Sequence, residues 1–244
     1  MATFAVVIAG ALVPLSPAQA VLVTPPVNSG GFEIDGDVPV NNGGPYDWGN
    51  SGSVINDGID DTTQFGNGGN EAGNPSSWGL GAGGAAGKAD IIDAYVDGKV
   101  VGGQTWAFFA IRRDSTVGTT ALSFEFNQLP NSPGGQPRPT RSYGDLLVAA
   151  QQVGNTSFSI ADAFFWTPQS AFTGGCLLIP GYTPAAGWCP TTLPAAAFYG
   201  TTGENGAFAE GALNLSAVFG QTCLGSFAVL NIRTRASTSR NSAL

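Results

Sequence analysis

Asp35, Asp37, Asp47, Asp57, Asp60 and Asp61 lie in stretches crowded with Gly and Asn. Carboxylates on such loops are the donors that Ca²⁺ takes, because the ion needs six to eight oxygens and a loop can wrap around it. Outside a cell, where calcium is abundant, a weak site is enough. No stretch matches the EF-hand loop: Asn56-Asp57-Gly58-Ile59-Asp60-Asp61 lacks both the alternation and the distal Glu. The competing reading is that these acids cap turns and keep the surface soluble.

A second chemistry open to carboxylates is glycoside hydrolysis, which needs two of them and no histidine. Glu33-Ile34-Asp35-Gly36-Asp37 resembles the Glu-x-Asp-x-(x)-Glu catalytic strand of laminarinase-like β-jelly-roll glycosidases, with Asp37 or Val38 where the closing Glu would stand. On a strand, Glu33, Asp35 and Asp37 would share one face. The alternative function is therefore a glycan-active enzyme using Glu33, Asp35 or Glu125. A third possibility is ligand binding by aromatic platforms. Trp48 and Trp78, on polar Gly-rich loops, are the candidates for exposure, against the reading that they pin those loops to the body of the fold.

Composition removes other classes. The chain has 244 residues and no His, which excludes a Ser-His-Asp triad, a Cys-His pair and His-ligated zinc or haem. Cys176, Cys189 and Cys223 lack CxxC spacing and a histidine base, so neither a metal site nor a cysteine nucleophile is indicated. The net charge of −8 argues against nucleic acid and against anionic membrane surfaces. The charge is uneven: residues 21–99 carry eleven acids and two bases, whereas residues 100–244 carry six acids and seven bases.

The elements that must position these residues read as strands. Residues 21–84 are loop-rich by composition. Beyond Lys88, 89–96 and 99–101 flank Asp97-Gly98, a hairpin signal. Residues 104–111, 121–127, 144–153, 156–166, 206–215 and 226–234 predict further strands. In 121–127, Leu122, Phe124 and Phe126 alternate with Ser123, Glu125 and Asn127, which predicts one buried and one polar face. Ser216 is placed to cap a short helical turn. No helix of twelve residues or more is indicated outside the amino end. The fold class is all-β: an antiparallel β-sandwich of jelly-roll type with long Gly/Asn-rich loops, as one domain over 21–244.

Phe4 to Leu15 is an apolar run followed by Ala18-Gln19-Ala20, the core and cleavage site of a secretory signal peptide over 1–20, although no Lys or Arg precedes Lys88. The run is too short to span a membrane. A secreted chain meets oxidising conditions. A Cys176–Cys189 disulfide closing the Pro/Gly-rich loop between them is the first choice of pairing, which leaves Cys223 over.

Several separated motifs carry a resemblance. They are Gly31-Phe32-Glu33-Ile34-Asp35-Gly36-Asp37, Asp47-Trp48, Lys88-Ala89-Asp90-Ile91, Ala107-Phe108-Phe109 with Arg112-Arg113, and Phe124-Glu125-Phe126-Asn127-Gln128. Arg141-Ser142-Tyr143-Gly144-Asp145-Leu146-Leu147, Glu210-Gly211-Ala212-Leu213-Asn214-Leu215-Ser216, Cys223 and Thr234-Arg235-Ala236-Ser237 complete the set. Together they resemble the amino-terminal domain of secreted actinobacterial cell-surface proteins that carry downstream prealbumin-like or Ig-like domains. The resemblance implies a secreted or cell-surface location and supplies no activity; the reading taken with it is a non-enzymatic recognition or adhesion module whose partner is a glycan or a surface protein. The resemblance also implies a chain cut short at its C-terminus, with further surface-protein domains and a partner for Cys223 beyond it. It marks Asp47, Trp48, Lys88, Asp90, Arg113, Glu125 and Asp145 as polar positions of interest. Their simplest role is pairing of acids with bases across neighbouring strands. Asp90, with Lys88 and Asp47-Trp48, would line a shared loop site, which adds it to the possible metal ligands.

Overall fold

The computed structural model describes residues 4–7, 31–42, 44–57, 63–66, 69–82, 87–132, 138–220, 227, 229–235, 237 and 239. In chain order the strands are β1 (Phe4–Val7), β2 (Ser53–Asn56), β3 (Thr63–Gly66), β4 (Gly79–Ala82), β5 (Ile91–Val101), β6 (Gln104–Arg113) and β7 (Thr119–Asn127). They continue with β8 (Leu146–Val153), β9 (Ser157–Pro168), β10 (Leu177–Ile179), β11 (Ala186–Thr191), β12 (Phe198–Gly203), β13 (Phe208–Asn214) and β14 (Val229–Arg235). The α-helix found among the described residues is α1 (Leu215–Phe219).

Two antiparallel sheets make the sandwich. One runs β1-β14-β7-β8-β9-β11-β10, the other β12-β13-β6-β5-β2, and β3-β4 form a separate hairpin. Consecutive strands β5–β6, β7–β8–β9 and β12–β13 are neighbours within one sheet, so hairpins and meanders dominate the winding. β1, inside the expected leader, pairs with β14 as the edge of the larger sheet. The rest of the expected leader and Cys223 lie outside the described residues.

The core between the sheets is built from alternate residues: Ala107, Phe109 and Ile111 of β6 face Leu122, Phe124 and Phe126 of β7, and Leu230 and Ile232 of β14 join them. The other face of each sheet is also covered. Phe32, Ile34 and Trp48 pack on Tyr95, Trp106, Phe108 and Phe208, which plates the five-stranded sheet with the segment 31–50. Ala72 packs with Trp166 and Trp188 on the seven-stranded sheet, which plates it with the segment 69–78. Strands covered on both sides lose the inside–outside alternation of a two-layer sandwich.

This plating corrects the reading of β7. Ser123, Glu125 and Asn127 do alternate with the apolar residues, but they too are fully buried. Two turn assignments also change. Asp97-Gly98 lies within the continuous strand β5, where Gly98 pairs with Ala107. The hairpin instead turns at Gly102-Gly103, both of which take the left-handed φ (57° and 77°) that a two-residue hairpin turn needs. Helix α1 is capped by the side chain of Asn214, which accepts the Ala217 amide, and not by Ser216. The Cys176–Cys189 disulfide is formed and closes the β10–β11 hairpin. Among the described residues no helix is long and apolar enough to cross a membrane.

Candidate metal centre

The segment 31–50 carries the acids that gather. Its entry is held by the Phe32–Tyr46 bridge and by the Glu33 amide donating to the Tyr46 carbonyl at 2.9 Å. Glu33, Asp35 and Asp37 do not form a strand, because Gly36 adopts φ 98° and turns the chain. The turn sends the Gly36 amide down to Glu210 on β13, and the backbone of Gly36 lies directly on Gly203 of β12. Gly203→Ala would drive a Cβ into the Gly36 carbonyl. It is expected to cost about 2 kcal/mol or more, a fall of roughly 4–8 °C in Tm, read by thermal melting.

Within this loop Glu33, Asp35 and Asp47 each offer a carboxylate oxygen, and the three oxygens lie within 4.8 Å of one another. Glu33 and Asp47 are buried and Asp35 is half-buried. Glu33 accepts the amides of Asn41, Asn42 and Gly44 at 2.8, 2.9 and 2.6 Å. Asp35 accepts the Asp37 amide at 3.3 Å and the Asn42 side-chain amide. Asp47 is different. Its Oδ1 accepts the Trp48 amide at 2.6 Å, but Oδ2 is buried with no hydrogen-bond partner among the described residues. A buried carboxylate oxygen left without a donor costs free energy that a cation would offset.

Beneath the cluster sits Glu210, fully buried, with Trp48 Nε1 donating to its Oε2 at 2.8 Å. Burial pushes the Glu210 carboxyl up to about 8; the Gly36 and Trp48 hydrogen bonds pull against this, and Asp47 and Asp35 add repulsion. Burial likewise pushes Asp47 up to about 7, with Asp35, Glu33 and Asp37 adding to the rise. Crowded, dry carboxylates that resist ionisation are what a divalent cation relieves. The donors are all oxygen, which suits Ca²⁺ or Mg²⁺ rather than a thiophilic metal.

Of the other acids considered as metal ligands, Asp37 is beside the cluster but bonds the Asn41 side chain. Asp57 lies at the end of β2, where its amide donates to the Ile92 carbonyl, and Asp90 is buried before β5 with its carbonyl accepting the Asp114 amide. Neither joins the cluster. Asp60 and Asp61 lie outside the described residues. Glu210 escaped attention in the sequence, although a single carboxylate inside the otherwise apolar or small run Phe208–Leu213 was a signal.

The catalytic and stacking candidates separate. Glu125 stands on the outer face of β7 in the seven-stranded sheet, whereas Glu33 and Asp35 lie over the five-stranded one. Glu125 is closed into a buried ring of ion pairs: Arg141 binds it at 2.9 and 3.1 Å and Arg233 at 2.6 Å, while Glu71 bridges the same two arginines at 3.2 and 2.8 Å. It offers nothing to a substrate. Trp48 and Trp78 are not exposed platforms. Trp48 is wedged between Phe32 and Tyr95, and Trp78 lies against Phe65 with the guanidinium of Arg233 5.1 Å from its ring centre. Each pins one plating segment to one sheet. The pairing of acids with bases holds for Glu125 but not for Arg113, whose buried guanidinium donates to the Gly206, Lys88 and Gly118 carbonyls and to Thr120. Asp145 accepts from Asn127, Gln128 and Ser142. Comparison of the chain with protein-family models, with curated proteins and with solved structures finds no match.

Proposed function

We propose that the chain is a secreted, non-enzymatic β-sandwich module for recognition at a cell surface, and that a calcium ion held by Glu33, Asp35 and Asp47 locks its amino-terminal loop onto the five-stranded sheet. The observation that carries the calcium is the buried, unpartnered Oδ2 of Asp47 beside two further carboxylates. A structural role for the ion fits the burial of its ligands, since Glu33 and Asp47 face the protein and only Asp35 reaches toward solvent. The Cys176–Cys189 disulfide supports an oxidising compartment. The tying of Glu33 to three backbone amides inside the loop supports a structural and binding role over hydrolysis, which needs a free pair of carboxyls facing a cleft. A glycan or a surface protein is the partner class.

The test is thermal melting in chelator and in millimolar calcium. Wild type is expected to gain about 2–3 kcal/mol when calcium exceeds its Kd about a hundredfold, and Asp47→Asn to lose most of that gain. Equal melting with and without calcium overturns the ion. A glycan array probed with the calcium-loaded protein, with a reducing-sugar assay alongside, tests the partner class and the absence of hydrolysis.

A further inference from the structure

The row of side chains that faces the core stops short at one end of the sandwich. Phe126 of β7, Leu146 of β8 and Phe165 of β9 stand opposite one another across their strands, and Leu230 of β14 joins them. Directly opposed residues project to the same face of a sheet, here the face that packs on the other sheet. Two residues further out come Gln128, just past β7, and Gly144, just before β8. Gly144 takes φ 91° and brings no side chain to the row; a Cβ there would meet Gln128 Nε2 at 3.3 Å. Helix α1, which follows β13 of the five-stranded sheet, sets Val218 and Phe219 across the gap. Phe227 is buried between Phe126 and Phe219, with ring centres 6.1 and 5.0 Å away. What remains is a cavity of about 330 Å³, and Tyr143, 47% exposed, marks its mouth.

The lining decides what such a cavity takes. Phe165, Val218 and Phe219 are only half-buried, and Phe165 meets Phe219 edge to face at 5.3 Å. An apolar group that displaces loosely held water from such walls gains free energy. No lining side chain is charged, so an ionic ligand would lose its hydration without a partner. Gln128 is the polar side chain that the fold locks in place. Its backbone amide and its Nε2 donate to Asp145 Oδ1 at 2.9 and 3.2 Å, and Nε2 also donates to the Tyr143 carbonyl at 2.9 Å. With the side-chain N–H groups committed, Gln128 has its carbonyl oxygen left to offer, and that oxygen accepts. Size sets the rest. A cavity of about 150 Å³ holds a benzene, so the larger space here accommodates two fused rings.

We infer that this cavity binds a small, uncharged aromatic molecule carrying one N–H donor, of the indole class. Its rings pack among Phe165, Phe219 and Phe227, in the edge-to-face and offset contacts that aromatic groups favour, and its N–H donates to the Gln128 carbonyl. None of the lining residues belongs to the calcium cluster, so either site can fail without the other.

Indole and benzofuran are the probes, two bicyclic molecules of one shape of which only indole has an N–H. Titrated calorimetrically into the whole chain, indole is expected to bind about fivefold tighter than benzofuran, the share of one hydrogen bond. Gln128→Met keeps the length of the side chain and removes its carbonyl, and is expected to bring the two probes level. Val218→Trp directs a bulky ring from α1 into the cavity and is expected to abolish binding of both, with circular dichroism as in wild type. Should that variant not fold, crystals of the wild-type chain soaked in a brominated indole locate the ligand by the anomalous signal of bromine, expected among Phe165, Phe219 and Phe227. Any one of four results overturns the proposal: no binding of indole at millimolar concentration, equal affinity for the two probes in wild type, a preference for indole that survives Gln128→Met, or binding undiminished in a folded Val218→Trp. Bromine at another place in the crystals, or none, does the same.

Discussion

Arg141→Met is expected to be the most damaging single change in the chain, lowering stability by about 3–5 kcal/mol, read as the urea midpoint at an unchanged slope. The magnitude follows from what would be left behind. Arg141 holds Glu125 bidentately and touches Glu71, and all of these side chains are fully buried. Its guanidinium also lies 4.9, 5.3 and 5.6 Å from the ring centres of Trp188, Trp166 and Trp78. Removing it strands two carboxylates against a single remaining arginine inside a wall of indoles. Packing and charge can be separated with a second change. Arg141→Met with Glu125→Leu keeps the Arg233–Glu71 pair as the surviving ion pair, and is expected to recover at least half of the lost stability. A loss below about 1 kcal/mol for Arg141→Met would mean that the ring contributes no more than a surface pair does.

The second large effect concerns pH and calcium together. Asp47 and Glu210 both titrate above their ordinary values of 3.8 and 4.5, at about 7 and about 8. The folded chain therefore binds more protons than the unfolded chain between those limits. Without metal, the stability these two carboxyls contribute is full below about pH 4 and is lost as pH rises through about 7 and 8. A displacement of roughly three pKa units in one group corresponds to about 4 kcal/mol of linkage. Glu125 does not oppose this trend. Although burial pushes its carboxyl up, Arg141 and Arg233 hold it down at about 2, so its contribution is full above about 4.5 and is lost as pH falls from there through about 2. Calcium changes the balance by taking the place of the protons. The calcium-dependent gain in Tm is thus expected to be small at pH 5 and largest at pH 8. A gain independent of pH would place the ion away from Asp47. Glu210→Gln should flatten the metal-free profile while leaving the calcium cluster in place.

How far these features were legible depends on whether the relevant neighbour lies nearby in the chain. The strands from β6 to β9, and β13 and β14, were readable because apolar runs and turn residues are local signals. The Asp97-Gly98 assignment failed because Gly102-Gly103 follows so soon, and only pairing across β5 and β6 decides which pair turns. The polar residues of β7 were seen to alternate, but nothing within 121–127 tells that a segment fifty residues earlier will cover them. Asp35 and Asp47 were singled out as metal-ligand candidates and do fall in one acidic cluster, whereas Glu33, the third member, was assigned to catalysis. Asp57, in a similar Gly/Asn-rich stretch, and Asp90, just ahead of β5, were grouped with them but do not join the cluster. Glu71 and Arg233 form half of the buried ring, and neither carries a local mark: one is a lone acid in a Gly-rich stretch, the other one of two arginines in a strand.

Both plating segments come early in the chain, yet they are fastened late. Gly36 reaches Glu210 across 174 residues, and Glu71 reaches Arg233 across 162. Part of each landing surface is made earlier, on β5 and β6 for segment 31–50 and on β9 and β11 for segment 69–78, but these two bonds wait for β13 and β14. Closing such distant contacts is slow. Until β13 and β14 emerge, the covering of the outer aromatic faces stays incomplete and loosely held, a condition in which long β-proteins aggregate. The acidic, glycine-rich segments 31–50 and 69–78 would then act in the nascent chain as a soluble leash, and become a fastened covering only once β13 and β14 are made.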